Sequence, residues 1–177
     1  MLNILIVEDE PLFAETLKQL VELNPLYRVI AVAEDAAGAL AAIDERAPDL
    51  ALVDLQLAHG STGFSVAVKL HEMGVLCLFT SGKAPDFPMP DLALGCLVKP
   101  FTEEDLVRAL KTAEDVLRGR EGLRLKPGRP ANFRIYAEEQ ARAKMESPAL
   151  LPTPDQSNAR RTIRARAGRI WRRLSVG

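Results

Sequence analysis

Five short apolar runs recur through the first hundred residues, and they constrain the chain more than any other feature. They lie at 3–7 (Asn3-Ile4-Leu5-Ile6-Val7), 28–33, 50–53, 75–79 and 94–98. Most are continuous and rich in Val, Ile and Leu, without polar alternation, which is the signature of strands covered on both faces. Between them the periodicity becomes helical. Leu12, Phe13, Leu17, Leu20 and Val21 follow Pro11, residues 36–46 form an Ala/Leu stretch, and Val66, Ala67 and Leu70 follow Gly63. Leu106, Ala109, Leu110, Ala113, Val116 and Leu117 follow Thr102, which with Asp105 reads as a capping box. Pro85, Pro88 and Pro90 fall where a fourth helix is due, so that helix is short or missing. This alternation predicts a parallel α/β sheet with right-handed crossovers, whose ligands sit outside the carboxyl ends of the strands.

Four of the runs end in polar residues: Glu8 and Asp9, Asp54, Thr80 and Ser81, and Lys99. In a parallel sheet all four sets land on one rim. Taken singly, Asp54 reads as strand punctuation, Glu8 and Asp9 as helix-start charge before Pro11, and Lys99 as a solvated strand end. Together they read as chemistry. Three carboxylates on one rim repel each other unless a cation neutralises them, and hard oxygen donors suit Mg²⁺. A carboxylate beside such an ion can act as a nucleophile toward phosphorus. A lysine and a hydroxyl then balance charge on the transferred group.

An acid pair, an aspartate, a hydroxyl and a Lys-Pro on successive strands resemble the receiver domain of two-component response regulators, over residues 1–120. The resemblance implies a doubly wound, flavodoxin-like fold with five parallel strands in the order 2-1-3-4-5. It implies that Asp54 accepts phosphate from a histidine kinase or histidine phosphotransfer protein. Glu8, Asp9 and Asp54 would bind Mg²⁺ together with the Gln56 backbone carbonyl, and Lys99, followed by Pro100-Phe101, would pair with the phosphoryl group. Phe79-Thr80-Ser81-Gly82 resembles a Phe-Ala-Thr-Gly segment of some receivers, which favours Ser81 over Thr80 as the contacting hydroxyl. Two departures bear on the output: Cys96 stands where the family often has an aromatic switch residue, and the proline-rich loop replaces most of the fourth helix. A protein of this kind is a signalling switch rather than a metabolic enzyme. The alternatives are a pseudo-receiver that is never phosphorylated and a DNA-binding regulator.

The net charge of −1 conceals a split. Residues 1–120 carry 10 Lys+Arg against 19 Asp+Glu (−9), and residues 121–177 carry 13 against 5 (+8). The expected organisation is therefore an acidic unit at 1–120, a largely disordered linker at 121–157 with one helix from Phe133 to Met145, and a basic tail at 158–177. From 158 to 174 there are seven arginines and no acid, with Ile163, Ala167, Ile170, Trp171 and Leu174 on one helical stripe. That tail suits a partner groove, an anionic membrane or nucleic acid, or remains disordered. The start of the chain has no basic lead before its short apolar run, and Cys77 and Cys96 lack CxxC spacing. Buried reduced thiols in a cytoplasmic protein follow as the expectation. The downstream protein and the oligomeric state, a homodimer included, stay open.

Overall fold

The computed structural model describes residues 1–57, 62–119 and 132–136. In chain order it contains β1 (Leu2–Val7), α1 (Pro11–Glu22), β2 (Tyr27–Ala33), α2 (Ala36–Glu45), β3 (Leu50–Asp54) and α3 (Gly63–Glu72). β4 (Leu76–Ser81), β5 (Gly95–Val98), α4 (Glu103–Leu117) and β6 (Phe133–Ile135) follow. The strands form one sheet in the order β2-β1-β3-β4-β5-β6. The first five are parallel, and β6 runs antiparallel to β5. The flavodoxin-like order 2-1-3-4-5 is therefore present, extended by one strand.

Strand parity divides the core into two layers, because successive side chains point to opposite faces. Ile4, Ile6, Leu50, Leu52, Leu76, Leu78 and Leu97 pack with Leu17 and Val21 of α1 and Leu106 and Leu110 of α4. Leu5, Val7, Ala51, Val53, Cys77, Phe79 and Cys96 pack with Ala39 and Ile43 of α2 and Val66 and Leu70 of α3. The unbroken apolar runs follow from this. Every residue of β3 is buried, so neither parity can carry a polar side chain until Asp54 reaches the rim. Each fully buried leucine contributes on the order of 2 kcal/mol. The helices start where the sequence supplies donors' partners: Asp35 Oδ1 accepts from Gly38 N at 2.8 Å, and Thr102 and Asp105 form a reciprocal capping box.

Residues 82–94 carry no helix, in keeping with the three prolines. The helix expected from Phe133 is overturned at its start. Phe133 and Ile135 are buried on alternate positions of a strand, a period of two rather than 3.6. The open edge of β5 supplies the backbone partners, so tertiary pairing overrides local helix preference. Gly95 permits the approach, since a Cβ there would lie 2.0 Å from the Arg134 carbonyl oxygen. The expected linker at 121–131, the rest of the helix and linker at 137–157, and the basic stripe at 158–177 lie outside the described residues. Among the described residues no helix is long and apolar enough to cross a membrane.

Candidate functional site

β1, β3, β4 and β5 end side by side, and the residues that end them make one cluster. Glu8 follows β1 and is anchored through its backbone N–H, which donates to the Ala33 carbonyl at 2.9 Å. Asp54 closes β3 beside Thr80, its register partner on β4. Lys99 follows β5, with its own N–H donating to the Ser81 carbonyl at 2.8 Å. By parity Glu8, Asp54, Thr80 and Lys99 continue the layer of Ile6, Leu52, Leu78 and Leu97, the α1/α4 face of the sheet.

The Lys99 ammonium donates to Asp54 Oδ2 at 2.6 Å and to Glu8 Oε2 at 2.8 Å. These are charge-assisted bonds at short lengths. The remaining Asp54 oxygen, Oδ1, accepts from the Gln56 backbone N–H at 2.8 Å. Glu8 and Asp54 are 2% and 5% exposed, so their charges are largely removed from water. Burial raises the Glu8 carboxyl above its ordinary value, and the neighbouring Asp54 charge adds to this. Lys99 pulls it down only in part. Burial works against the Lys99 ammonium, yet the bonds and charges of Asp54 and Glu8 outweigh it and hold Lys99 above its ordinary value. The ammonium also lies 4.1 Å from the centroid of the Phe13 ring, and Phe13 is braced edge-on by Phe101 at 5.8 Å.

Glu8, Asp9 and Asp54 each bring a carboxylate oxygen within 4.8 Å of the others. Three carboxylates against one ammonium leave a formal excess of two negative charges, matching one divalent cation. The donors are all hard oxygens, so this set fits a magnesium-class ion better than zinc or copper.

Thr80 and Ser81 are both buried at the same rim. The Thr80 carbonyl accepts from Leu55 N at 3.2 Å, and Ser81 Oγ accepts a long bond, 3.4 Å, from Lys83 N. Cys96 is fully buried, and the apolar layer around it contains Phe79 and Tyr136, whose rings lie 6.3 Å apart. An aromatic ring thus enters the layer of Cys96 from outside the receiver-like stretch.

The sequence reading gave no site role to Phe13, Gly63 or Asn132. Phe13 reads there as one more member of a helical stripe. Gly63 faces the backbone of β3, where a Cβ would fall 2.0 Å from the Asp54 carbonyl oxygen.

A doubly wound parallel sheet with an acidic cluster and a lysine at its carboxyl rim defines the receiver class of signalling domain. Residues 4–111 match the family model described as response regulator receiver domain. The chain belongs to that family, the receivers of two-component systems. It is 38% identical over 118 residues to the positive alginate biosynthesis regulatory protein of Pseudomonas aeruginosa, covering 63% of this chain and 47% of that protein. It is 30% identical over 116 residues to the sensory transduction protein LytT of Enterococcus faecalis, covering 63% and 48%. The chain thus spans about half the length of these relatives. Among solved structures, a CheY-like receiver domain protein from Methanospirillum hungatei aligns with TM-score 0.61 and 28% identity, over 69% of this chain and 99% of that one. A LuxR-family two-component response regulator from Aurantimonas aligns with TM-score 0.61 and 25% identity, over 82% and 99%.

Proposed function

We propose that the chain is a phosphorylated signalling switch in which Asp54 accepts a phosphoryl group from a phosphohistidine. The observation that carries this reading is the Lys99 ammonium held at 2.6 Å from Asp54 and 2.8 Å from Glu8 inside an acidic cluster. In the transfer, a carboxylate oxygen of Asp54 attacks phosphorus and the P–N bond breaks. The imidazole nitrogen keeps the electron pair and takes a proton, leaving an aspartyl phosphate. Glu8, Asp9, Asp54 and the Gln56 carbonyl would hold Mg²⁺, which when bound supplies positive charge for the transferred oxygens. Lys99 supplies a further positive charge beside Asp54 Oδ2, and the Gln56 N–H, donating to Oδ1, fixes the carboxylate plane. We assign the phosphoryl-contacting hydroxyl to Ser81, because its long bond to Lys83 N costs little to redirect. Thr80 is the register partner of Asp54, and Ser81, paired with Val98, is the last residue of β4.

The donor is a histidine kinase or histidine phosphotransfer protein, and the output is contact with a downstream protein. A reducing cytoplasm suits the two buried cysteine thiols, Cys77 and Cys96, neither of which is in a disulfide. The test is labelling of the full chain with radioactive acetyl phosphate, with and without Mg²⁺, beside Asp54→Asn. Mg²⁺-dependent label on the wild type alone is expected. Equal label on Asp54→Asn overturns the assignment, and no label on either favours a constitutive interaction module.

A further inference from the structure

The family match ends at residue 111, yet Asn132 grips the backbone on both sides of Lys99. Val98 N donates to the Asn132 carbonyl at 2.7 Å, and Asn132 Nδ2 donates to the Pro100 carbonyl at 3.0 Å. Between these, Lys99 N is held from the opposite side by the Ser81 carbonyl at 2.8 Å. The root of the lysine is thus clamped between β4 and the start of β6. Its tip is set by Asp54, Glu8 and the Phe13 ring.

The clamp matters because β5 is four residues long and would otherwise be an edge strand. The end of a short edge strand frays readily, since its outward N–H and C=O groups face water. Lys99 sits immediately beyond that end. β6 converts the edge into an interior position: Tyr136 N donates to Leu94 O at 3.1 Å at one end, and Asn132 closes the other. Phe133 and Ile135 add buried apolar area to the α1/α4 layer. Arg134 ties the segment to the proline-rich loop through the Pro85 carbonyl at 3.3 Å. An ammonium that must meet two carboxylates at charge-assisted lengths tolerates little drift of its root.

We infer that Asn132 is a positioning residue for Lys99, so that seating β6 on β5 and accepting phosphate at Asp54 are coupled. This inference rests on the reading of Asp54 and Lys99 given above. Coupling between two events is reciprocal. A seated β6 favours the phosphorylated site, and a filled site tightens β6.

The test uses the full chain as wild type, Asn132→Asp, Gly95→Ala and the double variant. Asn132→Asp keeps the size and the backbone carbonyl but replaces the donor to Pro100 with an acceptor. Gly95→Ala places a Cβ against the Arg134 carbonyl and unseats β6 without touching Lys99. Two quantities are measured: the labelling rate with acetyl phosphate and Mg²⁺, and amide exchange at Val98 and Tyr136 with and without beryllofluoride. One lost hydrogen bond predicts labelling about five-fold slower in Asn132→Asp. Gly95→Ala exposes both amides and slows labelling at least as much, and the double variant is no slower than Gly95→Ala, because both act through one contact. Beryllofluoride slows exchange at Tyr136 in the wild type, which a merely structural β6 would not show. Exposed amides with wild-type labelling in Gly95→Ala overturn the inference, as do independent, multiplying losses. A wild type that takes no label overturns the Asp54 reading and this inference with it.

Discussion

Lys99→Met isolates the electrostatic claim from the phosphotransfer claim. Methionine keeps an unbranched stem but removes the ammonium that lies over Phe13, leaving Glu8 at 2% and Asp54 at 5% exposure without their cation. Two charge-assisted bonds are lost, and breaking a buried pair by removing one partner costs about 3–5 kcal/mol. The Lys99 side chain is 20% exposed, so water reaches the rim and the low end, about 3 kcal/mol, applies. The deficit depends on pH through Glu8. Its folded pKa is raised, so its contribution is fully present below the ordinary value of 4.5 and is lost as pH rises through the folded value. Without Lys99, which pulls that value down, the folded pKa climbs further and the loss at neutral pH deepens. Denaturant unfolding of the full chain should therefore show a large deficit at neutral pH and a smaller one near pH 4.5. Mg²⁺ should stabilise the variant more than the wild type, because it supplies the missing charge. A neutral-pH stability within ~0.5 kcal/mol of wild type, the range of ordinary surface changes, would mean that Lys99 does not neutralise Glu8 and Asp54.

Three further outcomes follow from the geometry. Gly63→Ala puts a Cβ 2.0 Å from the Asp54 carbonyl, so β3 or α3 must shift; we expect a loss of roughly 1–3 kcal/mol and weaker Mg²⁺ binding, read by unfolding and by NMR titration. Tyr27 donates to Glu114 at 3.1 Å, and burial first, then that carboxylate, pushes its phenol from 10.0 up to about 12. Its stabilisation is present below the unfolded value and disappears as pH rises through the folded one. The wild type should therefore lose about 2–3 kcal/mol relative to Tyr27→Phe across that window, in unfolding curves at stepped alkaline pH. Ser81→Ala should slow acetyl phosphate labelling by about five-fold, the worth of one hydrogen bond, while Thr80→Val changes it little; the reverse order would assign the hydroxyl to Thr80.

The parallel sheet was legible in the sequence because strands covered on both faces must be apolar throughout, and a polar residue is allowed only where the strand runs out. That same rule exposed Glu8, Asp54 and Lys99, whose spacing places them on one rim. The missing fourth helix was legible from Pro85, Pro88 and Pro90, which remove donors and clash with a helical backbone. β6 was not, because one alternation over three residues is too short to tell a strand from a helical turn, and the Ala- and Glu-rich residues after Tyr136 favour a helix. Its strand state is set by the open edge of β5 and by Gly95, both far away in sequence. Phe13 was hidden for another reason: a ring in a helical stripe looks the same whether it faces a leucine or an ammonium.

Borohydride trapping shows whether Asp54 is the acceptor. The full chain is treated with acetyl phosphate and Mg²⁺, reduced, digested and mapped by mass. An acyl phosphate on Asp54 is reduced to homoserine, so that modification is expected at position 54 only, dependent on both reagents and abolished by chelation. Homoserine at Asp9 or Glu8's reduced counterpart in its place, or no modification while acetyl phosphate is consumed, would contradict it.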